Sequence, residues 1–115
     1  MYQGSVTVTI AQSGTQSSAA VIPHDAAICG LQMPAGWNAA SITLEVSPDN
    51  GTTWQGVKKV DGTAYTLTVA QGTYVVIPPA DLLGIPGNGQ VRLVASAAQT
   101  TAARTLIIFY AGARA

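Results

Sequence analysis

Residues 42–51, ITLEVSPDNG, narrow the possible folds more than any other stretch of the chain. Ile42, Leu44 and Val46 alternate with Thr43, Glu45 and Ser47, the period of a strand with one apolar and one polar face. The alternation runs straight into Ser47-Pro48-Asp49-Asn50-Gly51. Pro48 presets φ for the first turn position, Asp49 and Asn50 tolerate the tight interior, and Gly51 supplies positive φ. A strand ending in such a cluster predicts a β-hairpin, and with it an antiparallel domain.

The same pattern recurs. Strands are predicted over residues 5–10, 26–33, 42–47, 53–60, 65–69, 73–77, 90–96 and 105–111, separated by Gly, Pro, Asp and Asn. Residues 11–20, AQSGTQSSAA, read as a loop, residues 34–40 as a loop carrying Trp37, and residues 79–84 as one helical turn closed by Gly84. No stretch has the period of a long amphipathic helix. Eight short, evenly spaced strands predict an all-β antiparallel sandwich of jelly-roll-like winding. At 115 residues the chain is one domain, 1–115, with residues 1–4 as an N-terminal arm.

Charge is scarce. Charged residues make up 9% of the chain, and five acids balance five bases, against a usual charged share of about 25%. No net field steers such a chain to nucleic acid or to an anionic membrane, so neither partner is expected. The longest apolar run, Leu106 to Ala111, falls far short of the ~20 residues of a membrane helix. The first residues lack the basic and apolar regions of a signal peptide, which predicts synthesis in a cytoplasm without export. Nineteen alanines and thirteen threonines predict a solvent face of Thr, Ser, Ala and Gln. A neutral surface of that kind is expected to be covered by partner subunits, since charge is what keeps monomers apart.

Candidate chemistry is thin. His24 is the only histidine, so any nucleophilic triad would have to use it. His24, Asp25 and Cys29 lie close in sequence but fall short of the four ligands zinc takes. Asp49-Asn50-Gly51 lacks the alternating acids and terminal Glu of a calcium loop. No phosphate-binding glycine motif is present. The expectation is therefore no catalytic residues, no metal and no cofactor. Cys29 is alone, which leaves no intramolecular disulfide and predicts a small buried hydrophobe. One ligand class stays open: Trp37, Trp54 and Tyr65 could stack a sugar while Asp49 and Asn50 bond its hydroxyls. Against it, Trp54 enters a strand, where packing is its usual work.

Two strands break the alternation. Tyr74-Val75-Val76-Ile77 and Leu106-Ile107-Ile108-Phe109-Tyr110 are apolar on both faces, although the outer face of a sandwich meets water. Either a loop covers those outer faces or another protein chain packs on them. On the second reading Tyr74, Val75, Ile77, Ile107 and Phe109 are the contact candidates, with residues 1–4 as a further one.

The tract GLQMPAGW from Gly30 to Trp37, the hairpin ITLEVSPDNGTTW from Ile42 to Trp54 and the closing strand TLIIFYA at 105–111 together resemble small virion proteins of tailed bacteriophages and prophages. The resemblance implies a jelly-roll-like fold and a structural place on the virion, assembled in the bacterial cytoplasm. The first role it implies is head decoration, or cement, in contact with the major capsid protein and with copies of itself, as in a trimer. A spike, fibre or collar component is the alternative, as is a carbohydrate-binding module for host attachment. It carries over no catalytic residues.

Overall fold

The structure is a computed structural model and describes residues 2–23, 26–78 and 90–112. Within them the chain forms nine strands: β1 (Tyr2–Ile10), β2 (Ala20–Val21), β3 (Ala26–Gln32), β4 (Ile42–Ser47), β5 (Gln55–Gly56), β6 (Thr66–Leu67), β7 (Tyr74–Val76), β8 (Gln90–Ala95) and β9 (Arg104–Gly112). The first sheet has the order β1-β9-β3-β7; the second has β2-β8-β4-β5, with β6 also on β4.

The pairings follow one rule. β4 pairs with β5 and β6, β3 with β7, β2 with β8 and β1 with β9, all antiparallel. The first half of the chain thus lies against the second half in reverse, as one long ribbon doubled back at the turn after β4. Winding brings β9 against β3 and β8 against β4, which closes the two sheets. That winding is a jelly roll. The Ser47–Gly51 turn is therefore the apex of the whole ribbon, and Asn50 and Gly51 both adopt positive φ there, 63° and 91°.

Alternate side chains meet between the sheets. Val8, Ile10, Ile28, Leu31, Leu106 and Ile108 from the first sheet face Ile42, Leu44, Leu67, Val91, Leu93 and Ala95 from the second, in one buried cluster. Each large aliphatic chain so buried contributes roughly 1.5–3 kcal/mol. An apolar gap of about 10 Å³ between Leu31, Leu44 and Leu93 has no room for a ligand. Gln99, fully buried, ties one end of the sandwich together. Its Oε1 accepts from the Asn38 N–H at 2.7 Å, its Nε2 donates to the Asn38 carbonyl at 3.0 Å, and its own carbonyl accepts from the Ser13 N–H at 2.8 Å.

Several sequence expectations shift. Residues 2–4, expected as an arm, belong to β1, where Tyr2 pairs with Gly112 and Gly4 with Tyr110. Residues 15–20, part of the stretch expected as loop, run beside β8 through main-chain bonds such as Ser17 N–H to the Leu93 carbonyl at 2.9 Å and lead into β2. The predicted strands 53–60 and 65–69 shrink to β5 and β6, because residues 58–64 leave the sheet as a separate hairpin beyond Val57, whose N–H still donates to the Leu44 carbonyl at 2.9 Å. The hairpin's turn is closed by Asp61, whose Oδ1 accepts from both the N–H and the hydroxyl of Thr63, and Lys58 pairs with Ala64 across it. Cys29 is half-buried rather than buried: it is the extra residue of a β-bulge between Ile28 and Gly30, which lets Ile28 and Leu31 both reach the core. The predicted helical turn at 79–84, with His24 and Asp25, lies outside the described residues.

Candidate interaction surface

Register places two rows of side chains on the outer face of the first sheet. Thr7, Ile107, Gln32 and Tyr74 form one; Ser5, Phe109, Gly30 and Val76 form the next. Tyr74 is 51% and Val76 75% exposed, and Ile107 and Phe109 are half-buried. The Tyr74 ring leans across Gly30, where a Cβ would overlap its phenol, and packs on Phe109 with centroids 5.5 Å apart at 55°. Glycine is what this position requires.

No described residue places a charge on this face. Burial of the Tyr74 phenol, together with the charge of Cys29 when that thiol ionises, pushes the Tyr74 pKa above its ordinary value. Tyr74 therefore stays neutral at physiological pH. The described charges sit elsewhere. Arg92 on β8 donates to Glu45 on β4 at 2.6 Å and lies 4.3 Å from the Trp54 ring centroid, on the outer face of the second sheet. Arg104 reaches Gln99 and Asn38 at the end of the sandwich. Lys58, Lys59 and Asp61 belong to the projecting hairpin.

Three of the five predicted contact residues, Tyr74, Ile107 and Phe109, thus share one surface. The other two do not. Val75 packs against the core and Ile77 is 2% exposed, because alternation turns both inward. Val76, which the sequence does not single out, is more exposed than Tyr74, Ile107 or Phe109; its parity with Tyr74 is the signal that identifies it.

The carbohydrate set does not assemble. Trp37 is buried in the core and donates its indole N–H to the Ala40 carbonyl at 3.2 Å. It precedes β4, whereas Asp49 and Asn50 follow it, so the six residues of that strand separate them by roughly 17–20 Å. Asp49 spends both oxygens on its own turn, accepting from the hydroxyls of Ser47 and Thr53 and from the Thr53 N–H. Asn50 accepts from the Gln90 amide at 3.1 Å. Trp54 is half-buried beside Arg92. No three His, Cys, Asp or Glu side chains cluster as metal ligands among the described residues, and no described helix is long and apolar enough to cross a membrane.

What the surface offers chemically is dehydration. Covering side chains of this size contributes on the order of 1–3 kcal/mol each at a well-packed contact. Comparison of the sequence with protein-family models and with curated proteins gives no match.

Proposed function

We propose that this protein is a non-enzymatic structural protein of a tailed-bacteriophage virion, a decoration protein that packs on the head shell through the outer face of its first sheet. One observation carries the reading: an uncharged, aromatic and aliphatic surface centred on Tyr74, Val76 and Phe109 in a chain whose described charges lie elsewhere. An uncharged apolar patch on a soluble domain marks a place where protein is covered by protein. Jelly rolls build many viral shells, which supports the reading by analogy of fold alone. The sequence resemblance to phage virion proteins supplies the partner, the major capsid protein, and the place, the assembled particle.

The variant Val76→Asp tests it most cleanly, since Val76 stands on the surface and contributes nothing to the buried cluster. Heads lacking the protein are mixed with wild type or variant and sedimented. Wild type is expected to sediment with the heads, and Val76→Asp to bind about tenfold or more weakly, a loss of about 1.4 kcal/mol, with unchanged thermal unfolding. Equal binding by a folded Val76→Asp and a folded Phe109→Asp overturns the surface; no binding by wild type overturns the role.

A further inference from the structure

Three of the four sheet edges are blunted. β7 is three residues long and Pro78 follows close behind it. β2 is two residues long and Pro23 follows it as closely. The edge made by β5 and β6 is interrupted by the projecting hairpin with Lys58 and Lys59. Short strands, prolines, lysines and breaks are the devices that keep an edge from pairing with another chain. β1 has none of them. It runs nine residues, YQGSVTVTI, without Pro or charge, and its register with β9 is unbroken.

The direction of its free hydrogen-bonding groups follows from Thr9. The Thr9 N–H donates to Ser18 Oγ at 3.1 Å, and the Thr9 carbonyl accepts from the Ser18 N–H at 2.9 Å. Both groups therefore point away from β9. By the two-residue period of a strand, the N–H and C=O of Thr7, Ser5 and Gln3 point the same way. Among the described residues nothing meets them there. Ser17 and Ser18 close the edge at Thr9 and Ile10 and leave the part before it open.

We infer that this open edge, residues 3–7, pairs antiparallel with the same edge of a second copy, about a two-fold axis at Ser5, making one eight-stranded sheet from two four-stranded ones. A second copy is the occupant because the edge complements itself. The axis sets Ser5 opposite Ser5 and Gln3 opposite Thr7, so hydroxyls and amides face one another and no like charges meet. Each outward N–H then finds an outward C=O, for about six main-chain hydrogen bonds across the axis. The joint sheet carries the uncharged outer faces of both copies on one continuous surface. This pairing does not depend on the shell contact proposed above: either can fail alone.

Light scattering on the full chain after size exclusion, at submillimolar concentration, tests the pairing. The expected mass is twice 11.7 kDa. Ser5→Lys or Ser5→Asp sets like charges against each other at the axis and is expected to return the mass to 11.7 kDa, while an equimolar mixture of the two variants restores the dimer. Amide exchange gives a second readout. In wild type the amides of Gln3, Ser5 and Thr7 are expected to be protected along with Gly4, Val6 and Val8. In Ser5→Lys the first set exchanges about tenfold or more faster while the second keeps its protection. A wild-type mass of one or three chains, a dimer indifferent to both substitutions, or fast exchange at Gln3, Ser5 and Thr7 in wild type overturns the inference. The wild-type amide pattern decides the matter even if the variants do not fold.

Discussion

Asp49 closes the point at which the whole ribbon reverses. Its Oδ1 accepts from the Ser47 hydroxyl at 2.7 Å and the Thr53 N–H at 2.9 Å, and its Oδ2 from the Thr53 hydroxyl at 2.6 Å. These donors, the Thr53 hydroxyl first, lower its pKa from 3.8 to about 2. A carboxylate whose folded pKa lies below its unfolded one stabilises the fold above the unfolded value and loses that contribution as pH falls towards the folded one. The turn is thus expected to weaken between pH 3.8 and about 2. Thermal unfolding of wild type and Asp49→Asn checks this: a gap between their midpoints at neutral pH should close in acid. A gap that stays constant with pH would show that the charge of Asp49 is not what holds the turn. The turn itself is legible in the sequence, since Pro, Asp, Asn and Gly each favour a backbone shape that a turn needs. The engagement of Asp49 is not, because it depends on where Thr53 comes to lie after the chain has turned.

At the level of elements, the bulge at Cys29 and the glycine after it set how β7 lies on β3. Gly30 pairs with Val76 and with Phe109, and the Tyr74 ring occupies the space a side chain would need. Gly30→Ala is expected to displace that ring and cost about 1–3 kcal/mol, as overpacking does, and Tyr74→Ala in the same chain should recover part of it. Chemical denaturation of the two variants reads this directly; a Gly30→Ala as stable as wild type would mean that the ring sits elsewhere. Strand identity was legible wherever alternation was strong: β4 matches its predicted bounds, and β1, β8 and β9 differ only at their ends. It failed at β5 and β6, where Asp61 and Thr63 close a tighter local turn than the longer strands would allow. It also failed over the stretch that leads into β2, which Thr15 and Ser17 hold beside β8 through main-chain bonds, with no apolar period to announce it.

At the scale of the molecule, the sandwich separates its duties by face. The inner faces supply the buried cluster, and the second sheet's outer face carries the Arg92–Glu45 pair beside Trp54. On the first sheet's outer face no described residue carries a charge, and Tyr74 and Val76 stand out of it. The sequence shows that two strands are apolar on both sides, but not that their outward halves meet: that follows from β3, β7 and β9 lying side by side, a long-range pairing no local pattern encodes. The same winding takes Trp37 into the core and away from Asp49, which dissolves the sugar-binding set the sequence allowed. On the proposed function the first sheet's outer face is a shell contact, which cryo-electron microscopy of intact particles would image in place. Copies are expected over the whole head, each with Tyr74, Val76 and Phe109 against the capsid protein. Density at a single vertex or the tail, or copies on the head with that face turned to solvent, would contradict that function.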